Sequence, residues 1–215
     1  MLISKSIELP PPVRVQNVLG IAGSLRGGSY NRLLLEAAGR CAPAGMRIRI
    51  YEHLGAIPLF NEDLEAASGG GPAPVAELRR LVREAEGILI ATPEYNQSIP
   101  GVLKNAFDWL SRESPDVVMS GKAVAVTGAS GGRWGTRLAQ SALRQVLCAT
   151  ESIVLPAPAL FVADAASIFQ GGRIVDHRTE EQLRALVRAF AAWIWVVSND
   201  ISRDSLAALD GRAGA

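Results

Sequence analysis

Short apolar, β-branched runs alternate along most of the chain with stretches in which apolar residues return every three or four positions. The runs 15–22, 46–51, 87–92, 122–127 and 152–155 read as strands. Several are apolar at nearly every position, the pattern of parallel strands covered on both faces. Helical periodicity fills the intervals at 31–41, 75–85, 100–111 and 135–149, and a last helix is predicted over 180–199. A β-α alternation repeated five times, with no internal repeat, predicts one α/β domain with helices on both faces of its sheet. In the last helix Leu183, Leu186, Val187, Phe190, Ile194 and Val197 form a stripe that should face the sheet. Trp193 and Val196 fall off it, which suits either a subunit contact or cover by a neighbouring loop.

Composition narrows the picture mainly by exclusion. At 215 residues, 48% hydrophobic and 20% charged, the chain suits one globular domain with a substantial core. The 22 basic and 21 acidic residues leave a net charge of +1, so a nucleic-acid partner gains no support. Cys41, Cys148, His53 and His177 stand apart from one another and from metal-ligand spacing, and both thiols read as small apolar residues on helix faces. Residues 1–13 contain Pro10-Pro11-Pro12 and no apolar signal-peptide core, so they read as a disordered arm before a domain at 14–201 and a tail at 202–215. The longest apolar stretch, 189–197, is about half the length of a membrane span. The expected setting is the cytoplasm, without a membrane partner.

Three strand-to-helix loops carry unusual chemistry. A parallel sheet places all three at the carboxyl ends of its strands, where ligands bind in such folds. The first is Gly23-Ser24-Leu25-Arg26-Gly27-Gly28-Ser29-Tyr30-Asn31. Its glycines allow close backbone approach, and the helix that follows turns free N–H groups and a positive dipole end into the loop. Arg26 adds a permanent cation whose fork suits phosphate. A phosphate monoester is the natural guest, with Ser29 read either as a phosphate ligand or as the N-cap of the helix. Gly23 to Gly28 has the spacing of a nucleoside-triphosphate loop, but Ser29-Tyr30 stands where lysine and a hydroxyl residue are needed, and G-x-G-x-x-G is absent.

The second loop, Thr92-Pro93-Glu94-Tyr95-Asn96-Gln97-Ser98-Ile99-Pro100-Gly101, sets an aromatic ring, amides and a carboxylate between stiffening prolines. That set suits the edge of a heterocycle. The third, Thr127-Gly128-Ala129-Ser130-Gly131-Gly132-Arg133-Trp134-Gly135, reads as a flat wall against an aromatic ring system. It lacks the position and the Tyr-x-x-x-Lys companion of a short-chain dehydrogenase loop.

The first two loops, with the continuation Ser98-Ile99-Pro100-Gly101-Val102-Leu103-Lys104-Asn105-Ala106-Phe107-Asp108-Trp109-Leu110-Ser111, resemble the NAD(P)H-dependent FMN reductase family over roughly 15–199. The likeness is strongest to its bacterial quinone and chromate reductases, as is Leu143-Arg144-Gln145. The resemblance implies a flavodoxin-like α/β fold, a five-stranded parallel sheet in the order 2-1-3-4-5. It also implies non-covalent FMN, NAD(P)H as co-substrate, and homodimers that pair into homotetramers. By position, Ser24, Arg26, Ser29 and Asn31 would hold the phosphate, with Tyr30 in the same cofactor site. Pro93, Glu94, Tyr95 and Asn96 would line the isoalloxazine, mainly through backbone and the Tyr95 ring, and Ser130 and Gly131 would close the other side.

The implied reaction is a relay from NAD(P)H through FMN to a quinone, free flavin, chromate or azo compound, with the chemistry carried by the cofactor. Arg26 and Arg133 are candidates for the phosphates of the nicotinamide. Arg133-Trp134 is bulkier and more basic than the family pattern, and no site is assigned in 157–175. The alternatives are a non-enzymatic flavodoxin-type carrier, usually acidic where this chain is near neutral, and a regulatory nucleotide-binding domain.

Overall fold

The computed structural model describes residues 15–112 and 116–200; the arm and tail expected at 1–13 and 202–215 lie outside them. Five parallel positions form the main sheet in the order β2-β1-β3-β4-β5, built from β1 (Gln16–Ala22), β2 (Met46–Ile50), β3 (Gly87–Ala91), β4 (Ala123–Ala129) and β5 (Ile153–Val154). The registers place Ala22 beside Ala91 and Ala91 beside Thr127, so β1 and β3 end together and β4 runs two residues further.

Alternate residues of these strands enter two cores. On one face Val18, Leu89 and Ala125 pack against α1 (Tyr30–Cys41) and α7 (His177–Asp200). On the other, Leu19, Ile88, Ile90 and Val124 pack against α3 (Ala73–Glu84), α4 (Gly101–Leu110) and α5 (Arg137–Ala149). This is the flavodoxin-like arrangement expected, with helices on both faces.

The stripe on α7 is buried from Leu183 to Val197. Trp193, off the stripe, is half-buried and donates its indole N–H to the Ile153 carbonyl at 2.9 Å. It therefore packs onto the sheet edge, whereas Trp195 is the exposed ring on this helix. Cys41 is buried as expected, but Cys148 is exposed, because it falls on the outer face of α5.

The fifth sheet position departs from the single strand expected at 152–155. After β5 the chain loops out at Pro156–Ala159, where prolines cannot donate to a ladder, and returns as β6 (Leu160–Val162) beside the far end of β4. A short helix, α6 (Ala165–Ile168), and a hairpin, β7 (Phe169–Gln170) with β8 (Arg173–Ile174), follow. A three-residue apolar run is too short to read as a strand from pattern alone. Helix α2 (Glu62–Ser68) is a further helix that the sequence reading did not include; Asn61 caps it, acidic residues fill its first turn and Gly69 ends it in the left-handed region.

One tie depends wholly on tertiary structure. Buried Arg79 of α3 donates to the carbonyls of Trp109 and Arg112, so a cation closes the C-terminal end of α4. Burial pulls its guanidinium pKa down, and Asp116 partly restores it.

Candidate active site

The loops after β1, β3 and β4 meet at one end of the sheet because these strands are adjacent and parallel. In the first loop the Arg26 carbonyl accepts from the Ser29 N–H at 3.0 Å, and Ser24 Oγ accepts from the Arg26 N–H at 3.4 Å. Buried Ser29 caps α1, its Oγ accepting from the Arg32 N–H at 3.3 Å. Capping, one of its two sequence roles, is therefore realised; the hydroxyl proton is still free to donate.

Among the described residues no group accepts from the backbone N–H of Gly27, Gly28, Tyr30 or Asn31. The first turn of α1 holds no acidic side chain, so the dipole end stays uncompensated. Arg26 is exposed and without a carboxylate partner among the described residues; its guanidinium lies 5.1 Å from the Tyr30 ring centroid. Tyr30 in turn stacks on Phe169 of β7, centroids 5.7 Å apart and planes 25° from parallel. The segment 157–175, which carried no assignment from sequence, thus supports the ring beneath Arg26. Phe169 is a residue that sequence reasoning missed, and its lone aromatic ring in an irregular stretch offered no signal.

The side chain of Asn31, one of the residues the resemblance implied for the phosphate, is committed elsewhere, which leaves its backbone N–H for that role. It is buried, with Nδ2 donating to the Ala129 carbonyl at 2.9 Å and Oδ1 accepting from the Ala129 N–H at 2.8 Å. An amide pairing both ways with one backbone residue acts like a strand neighbour, and it ties the first loop to the end of β4.

In the second loop Tyr95 and Ser98 exchange two backbone hydrogen bonds of 3.0 Å around Asn96 and Gln97, both at positive φ (50° and 63°). This is a type I′ hairpin turn, and it presents Tyr95 with its ring half in solvent. Pro93 is buried at the base. Glu94 turns its carboxylate away to α5, where Oε2 accepts from the N–H groups of Leu138 and Ala139 at 2.9 and 3.0 Å. Thr136 makes no side-chain cap at that helix, so Glu94 supplies one from a neighbouring loop. Replacing Glu94 with alanine is expected to lower stability by about 1 kcal/mol, as loss of a capping group does. Urea denaturation reads this, and Glu94→Gln, which keeps an acceptor, should lose less.

The third loop is anchored where it starts. Ser130 donates its N–H to the Val162 carbonyl and accepts from the Ala165 N–H, both at 3.0 Å, and its Oγ accepts from the Gly132 N–H. Gly131 is exposed, and a Cβ built there meets nothing.

Together these residues offer N–H groups without an acceptor, and a cation without a carboxylate, among the described residues, beside an exposed aromatic ring and an open glycine segment. That set fits a phosphate monoester carrying a flat heterocycle, as FMN does. It holds no groups arranged for nucleophilic or metal chemistry: among the described residues no cluster of His, Cys, Asp and Glu could hold a metal. No helix among them is long and apolar enough to cross a membrane.

Known proteins place this geometry in a family. Residues 16–167 match the family model described as NADPH-dependent FMN reductase. An NAD(P)H-dependent FMN reductase of Pseudomonas aeruginosa is 44% identical over 178 residues, spanning 82% of this chain and 94% of the relative. A quinone reductase of Pseudomonas putida is 37% identical over 181 residues, spanning 84% and 96%. Among solved structures, the flavoenzyme NAD(P)H:(acceptor) oxidoreductase of Paracoccus denitrificans superposes with a TM-score of 0.75 at 32% identity, over 84% of this chain and 97% of that one. The chain therefore belongs to the NADPH-dependent FMN reductase family and is a flavodoxin-like oxidoreductase that works with FMN and NAD(P)H.

Proposed function

We propose that this enzyme passes reducing equivalents from NAD(P)H to a quinone, with free flavin, chromate and azo compounds as further acceptors. The observation that carries the reading is the cradle at the start of α1, where among the described residues four backbone N–H groups lack an acceptor and Arg26 lacks a carboxylate partner beside the Tyr95 loop. FMN bound there supplies the hydride and electron chemistry. The chain's own residues bind and orient. The N–H groups of Gly27, Gly28, Tyr30 and Asn31, the Ser24 and Ser29 hydroxyls and Arg26 hold the phosphate. Pro93, Tyr95 and Asn96 line one side of the ring, while the backbones of Ser130 and Gly131 line the other. Glu94 and Asn31 hold those walls in place. No side chain need shuttle a proton, and reductant and acceptor require only access to the bound flavin in turn. The quinone reductase of Pseudomonas putida among the relatives supports the choice of acceptor.

The test is anaerobic stopped-flow reduction of the FMN-loaded protein by NADPH and NADH, followed by reoxidation with a quinone panel. Bleaching of the flavin band and its recovery on quinone are expected; an unbleached band would sink the reading and favour a carrier. Arg26→Ala should weaken FMN binding by at least about tenfold, since a charge-assisted bond contributes roughly 1.5–3 kcal/mol. The reading includes a cytoplasmic homodimer or homotetramer, supported by the family resemblance and checked by sedimentation at micromolar concentration.

A further inference from the structure

The third loop carries a feature that the flavin cradle does not use. Trp134 has 68% of its surface exposed, and the Arg133 guanidinium stands 5.1 Å from its ring centroid. A few residues on, Arg137 lies 4.8 Å over the Phe161 ring. Neither arginine has a carboxylate partner among the described residues. Two cations resting on aromatic faces, with their N–H forks unclaimed, are prepared for an anion.

The lip that bears them is braced. Ser130 bonds to Val162 and Ala165, and the Gly132 carbonyl accepts from the Asp164 N–H at 3.2 Å. Gly135 is held in the left-handed region (φ 67°) against Phe161, where a Cβ would press on that residue's backbone. A tip fixed at both sides presents Arg133 and Trp134 outward at low ordering cost.

We propose that Arg133 and Trp134 form the subsite for the adenosine-phosphate end of NAD(P)H, adenine stacking on the indole and phosphate meeting the guanidinium. The inference rests on NAD(P)H as the reductant, as above. An aromatic base joined to a phosphate satisfies both groups, whereas a quinone carries no phosphate for Arg133. The lip belongs to the loop after β4, at the same end of the sheet as the flavin cradle, so a dinucleotide that sets its nicotinamide against the flavin can extend its other end toward the lip.

The test is calorimetric titration of the FMN-loaded protein with adenosine 2′,5′-bisphosphate and with adenosine 5′-monophosphate, in wild type, Trp134→Ala, Arg133→Ala and Arg133→Lys. Saturable binding is expected, weakened about tenfold or more in both alanine variants and partly restored by lysine. Tighter binding of the bisphosphate assigns Arg133 to the 2′-phosphate; equal binding assigns it to the 5′-phosphate, and either supports the subsite. The alanine variants should raise KM for NADPH about tenfold while kcat and the quinone KM hold. Absent binding, binding equal in wild type and variants, or a rise confined to the quinone KM would overturn the subsite. Wild type that NADPH fails to reduce would instead overturn the function proposed above.

Discussion

Alanine at position 31 is expected to destabilise the protein by about 2–4 kcal/mol and to weaken FMN binding at least tenfold. Asn31 is buried and bonds both to the N–H and to the carbonyl of Ala129, 98 residues away in sequence. Its removal strands two buried backbone groups, each costing roughly 1–3 kcal/mol when left unpaired. The first loop also loses its tie to β4, so the N–H groups facing the phosphate no longer hold their spacing. Urea denaturation of the FMN-free protein reads the first effect, and quenching of FMN fluorescence on titration reads the second.

Asn31→Asp gives a sharper comparison. It keeps an acceptor for the Ala129 N–H but loses the donor and sets a negative charge at an anion-binding helix end. Its FMN affinity should fall further than its stability predicts. A variant Asn31→Ala within about 0.5 kcal/mol of wild type, the usual range for surface changes, would refute the role of this tie.

Gly128→Ala should cost at least about 3 kcal/mol, the upper end of ordinary overpacking. A Cβ there would lie far inside van der Waals contact with the Thr92 carbonyl oxygen and with Thr136 Oγ1. The first atom is main chain at the exit of β3, and the second stands at the cap of α5, held by a 3.0 Å bond from Gln140 Nε2. Neither can swing aside as a flexible side chain would. The strain would push the second loop and the start of α5 apart, pulling Glu94 from its cap. Thermal denaturation and FMN titration measure the outcome. Gly131→Ala, whose Cβ meets nothing, is the control and should leave stability within about 0.5 kcal/mol. In the double variant Gly128→Ala/Thr136→Ala, removal of the hydroxyl should recover part of the loss, because the two sites share one contact.

These two positions show why some of the site was legible and some was not. The glycine loop was marked by composition, since helix starts, glycines and Arg26 announce an anion cradle within nine residues. The Pro93–Pro100 loop was marked in the same local way. Glu94 was expected to line the ring mainly through its backbone, and nothing local to it announced that its carboxylate caps a helix 44 residues downstream. The stacked series Arg26–Tyr30–Phe169 had no sequence signal, because Phe169 lies in a short hairpin without periodicity. Likewise the break between β5 and β6 divides the fifth position into runs too short to carry a pattern.

The sequence by itself therefore determined the order of the elements, the parallel sheet buried on both faces and the three loops that bear the chemistry. Periodicity, glycine content and helix-start residues act over a few positions and are written in the chain directly. Only the tertiary structure decided which side chains hold the loops to one another. Asn31, Glu94 and Phe169 acquire their partners from strand register and helix packing, and those distances are set by the whole core.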